Sequence, residues 1–257
     1  MNKTELINKI IQKKEFSQLP KKDVELAFEK FDKKNYLDEE KIKFTRDLLR
    51  KVFSAFTSQK ILSLKNKEPE WILKKHLSTR ERLSYYEEVY SRILKNMDKK
   101  NNVFDLGAGV NGFSYDSFKK LKYSVNYVAI EAMGQLVELM NNYFIKSKLK
   151  ANAVHLSLFE LEKIKKIIGD VKGQKIVFLF KTIDSLEMLE KNYSKKLLFE
   201  ITPLVDRVVI SFATRSLIAR KKFKVQRNWI INFIKNNFKI LDDFEFGSER
   251  YVVFRKK

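Results

Sequence analysis

The sequence predicts an α/β fold, a mainly parallel, doubly wound sheet behind a wholly helical N-terminal region. Three observations predict it. Roughly the first hundred of the 257 residues carry apolar positions at helical spacing only. From Asn101 onward, short apolar runs alternate with helical patterns, as in successive βαβ units. The first such run, Val103-Phe104-Asp105-Leu106, ends in Gly107-Ala108-Gly109, a buried strand entering a tight bend.

The elements follow in order. Leu6, Ile7, Ile10 and Ile11 share one helical face. A second helix starts after Pro20, with Val24, Leu26, Ala27 and Phe31 as its apolar positions. A third spans 38–56, with a stripe of Ile42, Phe44, Leu48, Leu49, Val52, Phe53 and Phe56. Trp71, Ile72 and Leu73 form a short apolar turn. Ser78 then opens a helix running to 97, with Glu81 at capping-box spacing. Strands are expected at 103–106, 126–130, 153–156, 175–180, 207–212, 238–244 and 250–254. Helices fit at 114–121, 133–146, 158–168, 184–199 and 225–236. The last two strands are close enough for an antiparallel hairpin at one sheet edge. The expected division is a helical region at 1–98 and an α/β domain at 99–257.

Composition narrows the chemistry. With 44% apolar residues the chain can bury a sizeable core. No apolar run is long enough for a membrane span, and the charged start lacks the core of a signal peptide, so a cytoplasmic location is expected. The absence of cysteine excludes disulfides, thiolate nucleophiles and Cys-ligated zinc. Two histidines, His76 and His155, leave little for a transition-metal site, and none is expected. Fifty-three Lys and Arg against 32 Asp and Glu give a net charge of +21. Such a surplus favours a polyanionic partner, chiefly nucleic acid. A Lys-rich proteome is the plainer reading, but Glu does not match Lys here; a membrane surface is the weaker electrostatic alternative. Residues 1–98 hold 23 basic and 16 acidic side chains, and the remainder 30 and 16, so the larger excess lies on the α/β part. Arg215 to Arg227 is especially dense, with Arg220, Lys221, Lys222 and Lys224. It suits either phosphate contacts or a solvated helix face.

The glycine bend carries the chemistry. GAGVNG, 107–112, meets the dinucleotide pattern. Asp105 stands two residues before its first glycine. A pyrophosphate would be repelled there, whereas a sulfonium ligand with an ammonium group would be welcomed. Glu131 ends the second strand and can accept from two ribose hydroxyls. Together these residues resemble the S-adenosylmethionine fingerprint of Rossmann-like methyltransferases; a dinucleotide site or an empty turn are the alternatives.

A narrower resemblance rests on His76-Leu77-Ser78-Thr79-Arg80-Glu81-Arg82-Leu83, Phe180-Lys181, Ser211-Phe212-Ala213-Thr214-Arg215-Ser216-Leu217 and Phe246-Gly247-Ser248-Glu249-Arg250-Tyr251. Read alone, the first of these is a helix start with two exposed arginines. As a set, and spanning about residue 60 to the C-terminus, they resemble the aminoglycoside-resistance family of 16S ribosomal RNA methyltransferases, which modify guanine N7. The resemblance implies a Rossmann-like S-adenosylmethionine-dependent methyltransferase fold with an N-terminal helical domain that docks RNA and whose last part, 76–98, joins the cofactor pocket. It implies S-adenosyl-L-methionine as cofactor, with Arg80 on its carboxylate, His76 and Thr79 in the same pocket, and Gly107 and Gly109 against the methionine portion. Asp105, Ala108, Ala132 and Phe180 belong to the same set. Glu131 takes the ribose, and Ser157 and Leu158 frame the adenine; Ser157 stands where such enzymes commonly carry an acid. Lys181, Arg215 and Glu249 would line the target-base pocket, with Glu249 reading the guanine edge. The implied partner is structured RNA in the small subunit, met by a monomer.

Guanine N7 carries a free lone pair and no proton, so attack on a sulfonium methyl needs no general base. Phe180-Lys181-Thr182-Ile183-Asp184 is not the (Asn/Asp)-Pro-Pro-aromatic pattern of exocyclic-amine methylation. A flipped base is expected. An adenine-N1 or tRNA enzyme of the same fold, and a non-catalytic RNA-binding relative, remain open on the sequence.

Overall fold

Alternation along the strands decides the architecture. A computed structural model of the chain describes residues 1–33, 35–54, 67–214 and 227–257. Among these, seven strands form one sheet: β1 (Lys100–Leu106), β2 (Ser124–Glu131), β3 (Ala151–His155), β4 (Lys175–Phe180), β5 (Arg207–Ala213), β6 (Phe238–Phe246) and β7 (Glu249–Lys256). Their order is β3-β2-β1-β4-β5-β7-β6. The first five are parallel; β7 runs antiparallel to both β5 and β6. The expected parallel sheet with an edge hairpin is therefore present, and β7 lies inside it, between β5 and β6.

Successive strand side chains point to opposite faces, and both faces are apolar here. Val103, Tyr127, Phe178, Val209 and Val253 enter one core cluster, and their neighbours Phe104, Val128, Val177, Val208 and Phe254 the other. The second cluster is closed by α9 (Leu161–Gly169), α10 (Ile183–Leu189), α11 (Tyr193–Ile201) and α12 (Asn228–Asn237). The first is closed by α7 (Tyr115–Lys120) and α8 (Gly134–Lys146), and by the helices ahead of the sheet. Those are α1 (Lys3–Ile11), α2 (Lys21–Asp32), α3 (Asp38–Leu49), α4 (Pro69–Lys75), α5 (Leu77–Arg82) and α6 (Tyr86–Ile93). Leu6, Ile10, Val24, Phe28 and Leu49 thus share one continuous core with the sheet. Each such buried side chain contributes roughly 1.5–3 kcal/mol.

Several elements depart from expectation for local reasons. The helix expected at 78–97 is broken into α5, a 3-10 turn at Leu83–Tyr85 and α6. The capping box is absent: α5 has no side-chain cap. Ser78 bonds the Nδ1 of His76 at 3.0 Å instead, and Glu81 accepts from Lys181 at 2.5 Å. The helix expected at 184–199 breaks at Asn192, whose φ is +64°, a conformation Asn tolerates. Glu187 holds that break by accepting the amides of Asn192 and Ser194 at 2.6 and 3.0 Å. The third helix passes into a π turn at Arg50–Ser54, and Phe56 lies outside the described residues. The apolar turn at 71–73 is part of a helix, α4, with Pro69 in its first turn.

Candidate functional site

The carboxyl ends of β1, β2 and β4 frame a cavity, where ligands bind in open α/β sheets. After β1 the chain turns through Gly107 at φ +73° and Gly109 at φ +56°. A Cβ at Gly107 would stand 2.9 Å from Cγ2 of Thr182, and one at Gly109 3.3 Å from Cε1 of His76. Glycine therefore satisfies both the dihedral and the close approach. The third glycine, Gly112, packs under α8: its Cβ would meet Phe144 Cζ at 2.6 Å.

Glu131 closes β2 at the cavity wall. Its Oε2 accepts the Gly109 amide at 2.8 Å and its Oε1 the Met133 amide at 2.9 Å, so the carboxylate is fixed by backbone on both sides. Burial raises its carboxyl above the usual range, while these amides oppose the rise. Asp105, also on the wall, is buried. It accepts from the Tyr127 hydroxyl and, at 2.7 Å, from Asn111 Nδ2. Burial raises its carboxyl against those two bonds. Asn111 Oδ1 in turn accepts from Arg82 and Tyr86, each at 2.8 Å.

Arg82 joins this network to the opposite edge of the site. Its Nη2 donates to Glu249 at 2.6 Å and its Nε to the Tyr251 hydroxyl at 3.0 Å. Its guanidinium lies 4.3 Å from the Phe180 ring centre. Ser211 also donates to Glu249, and Lys181 Nζ lies 3.4 Å from the other carboxylate oxygen and 2.5 Å from Glu81. Burial alone would raise the Glu249 carboxyl, but the Arg82 and Lys181 charges hold it below the usual range. Lys181 sits at φ +58°, its amide donating to Ser211 Oγ and O, both at 3.1 Å. A non-glycine residue forced into this region at a site wall marks a locally over-determined turn. Burial, then the Arg82 and Lys181 charges, lowers His76 to about 3, so its imidazole is neutral at pH 7.

His76, Thr79, Asp105, Gly107, Ala108, Gly109, Glu131, Ala132, Leu158, Phe180 and Lys181 all line the cavity. Three expected residues among the described ones do not. Arg80 is exposed and borders a separate surface depression; on α5 the face holding Thr79 continues three residues on, at Arg82. The expectation of two exposed arginines fails for the same reason, since Arg82 is 2% exposed. Ser157 is buried behind the wall, where its hydroxyl accepts the Phe159 amide at 3.1 Å. Glu249 is 1% exposed, and its Oε1 accepts from Arg82 and Ser211, so it stands as the buried counter-ion of Arg82. Arg215, with the basic cluster around it, lies outside the described residues.

The sequence reading missed Asp23, Phe159 and Thr182, which line the cavity, and Asn111 at its hub. Asp23 was signalled only by position: it falls four residues before Ala27, on the buried stripe of α2.

A seven-stranded sheet of this order, with a glycine bend and a strand-end acid around one cavity, defines the Rossmann-like methyltransferase class. A family model described as ribosomal RNA methyltransferase (FmrO) matches residues 35–230, and the chain belongs to that family. A 16S rRNA (guanine(1405)-N(7))-methyltransferase of Proteus mirabilis is 22% identical over 187 residues, covering 71% of this chain. The match spans 63% of that relative, less than two thirds of its length. The solved structure of the 16S rRNA methyltransferase RmtF, in complex with S-adenosyl-L-homocysteine, superposes over all of both chains with a TM-score of 0.80 at 17% identity. The 16S rRNA methylase RmtB gives 0.77 at 16% identity, over 100% of this chain and 99% of its own. No helix among the described residues is long and apolar enough to cross a membrane.

Proposed function

We propose that this chain transfers a methyl group from S-adenosyl-L-methionine to N7 of a guanine in small-subunit ribosomal RNA. The observation that carries this reading is the cavity itself: a bend only glycine fits, set against a strand-end glutamate that backbone amides hold in place. The residues suit the cofactor. Each Glu131 oxygen already takes one amide and keeps a lone pair for a ribose hydroxyl. Gly107 and Gly109 let the bend close against Thr182 and His76 at the cavity wall, beside which the methionine portion would lie. Leu158, Phe159 and Leu136 supply apolar wall for a purine. Arg82, the one arginine among the described lining residues, takes the place first assigned to Arg80 as the fork for the carboxylate.

The cofactor brings an electrophilic methyl; the protein positions it and excludes water. His76, held by burial and by the Arg82 and Lys181 charges well below its usual range, is a poor proton acceptor, in keeping with a nucleophile that has no proton to lose. Phe180 and Lys181 supply an apolar face and a cation for a flipped base. RNA is drawn by the +21 charge. In this reading the chain acts as a monomer, and residues 1–98 add docking surface while walling the cavity through Asp23, Val52 and Phe53. Parallel incubations with tritiated S-adenosylmethionine and small subunits, large subunits and tRNA test it. Label confined to small-subunit RNA, mapping to N7-methylguanine, is expected; m1A, or label only in tRNA, refutes the assignment.

A further inference from the structure

One carboxylate in the cavity has no task in the network above. Asp23 comes from α2, far from the sheet in sequence, yet it is 1% exposed and lines the cavity. Its Oδ2 is buried with no hydrogen-bond partner. Leaving a charged oxygen so costs about 1–3 kcal/mol or more, and a well-packed helix could have carried Leu or Asn at this position. Burial raises its carboxyl to about 7, the Ser157 hydroxyl opposes the rise, and the nearby Glu131 and Glu160 charges add to it. No cation is among these influences, and among the described residues Asp23 forms no ion pair. What Oδ2 lacks is a donor, and its residue lines the cavity.

The neighbours say which donor. Ser157 opens the turn after β3, and Leu158 and Phe159 of that turn form the apolar wall beside Asp23. The ribose-binding acid, Glu131, is close enough to act on Asp23 electrostatically. A flat heterocycle attached to that ribose and lying on Leu158 and Phe159 would bring its edge to Asp23. Resting on the cofactor reading above, we infer that Asp23 reads the 6-amino group of the cofactor's adenine. The acid absent at Ser157 is thus supplied by the N-terminal helical region, with Ser157 as the small, hydroxyl-bearing residue that makes room for it. Asp23 is then a specificity determinant and takes no part in methyl transfer.

A 6-oxopurine replaces the amino donor by an acceptor, which a carboxylate repels and an amide can meet. Calorimetric titration of the full chain with S-adenosylhomocysteine and S-inosylhomocysteine tests this in wild type and Asp23→Asn. Wild type should favour the adenosyl ligand by about tenfold or more. Asp23→Asn should shrink the preference to within about threefold, since its amide can both accept and donate. Taking the ratio of two ligands on one variant cancels any loss of folded protein. An unchanged ratio in Asp23→Asn overturns the assignment of Asp23 alone. Failure of wild type to bind either ligand overturns the cofactor reading itself.

Discussion

Replacing Arg82 by Met removes the centre of the buried charge cluster, and the structure sets the size of the loss. Arg82 and Lys181 face Glu81 and Glu249, two cations against two anions. Arg82→Met leaves one cation for two carboxylates. Glu249, with a side chain 2% exposed, loses its 2.6 Å partner and keeps only Ser211 and the longer Lys181 contact. Breaking one side of a buried pair costs about 3–5 kcal/mol. The surviving Lys181 charge places this case at the lower end, near 3 kcal/mol. For a chain of this size that lowers the Tm by roughly 6–12 °C. Urea and thermal unfolding of the ligand-free chain, followed by circular dichroism, provide the measurement. The double variant Arg82→Met/Glu249→Leu should recover to within about 1–2 kcal/mol of wild type, because no lone charge remains. A loss below about 1 kcal/mol in the single variant, or losses that simply add in the double, would refute the claim that Glu249 serves as counter-ion.

Gly112→Val should destabilise by about 1–3 kcal/mol, measured by urea unfolding, because its Cβ meets Phe144 Cζ at 2.6 Å and Met140 Sδ at 3.0 Å. Glu131→Ala should weaken S-adenosylhomocysteine binding by about tenfold or more in calorimetry, since it removes the ribose acceptor and frees the Gly109 amide. Asp23 gives a pH signature. Its folded-state carboxyl is raised from 3.8 to about 7, so the native state holds the proton more tightly, and stability present at pH 4 and below is lost as pH rises to 7. The shift corresponds to roughly 4 kcal/mol. Asp23→Asn should remove that decline, so that unfolding midpoints at pH 5 and pH 8 draw together; an undiminished slope would show that other groups cause it.

Short apolar runs alternating with helical patterns made the sheet legible, because strands buried on both faces read as unbroken apolar runs. Gly107, Gly109 and Glu131 were legible because a bend and a strand-end acid are local features. What failed was phase. In a helix as short as α5, nothing in the sequence says whether Arg80 or Arg82 faces inward, and the two lie roughly 200° apart on the helix. Glu249 shares its hairpin with Asp242, Asp243 and Glu245, and only strand register decides which acid turns inward. Asp23 was hidden for a different reason. Its significance depends on α2 reaching the turn after β3, a contact between parts of the chain that no local pattern encodes.

Arg82 and Glu249 are 167 positions apart, and Asp23 and Ser157 are also widely separated along the chain. Contacts that close such long loops are made late, because the entropy of closure must be met before they return anything. The binding cavity is therefore a product of the finished topology, and no fragment that ends before β7 can hold Arg82 neutralised. A small ligand that needs all these pieces at once binds the native state and nothing less ordered, and so stabilises the whole molecule in proportion to its concentration. Cells rich in such a ligand would hold more of this protein in its working form, with abundance and cofactor supply coupled through folding alone.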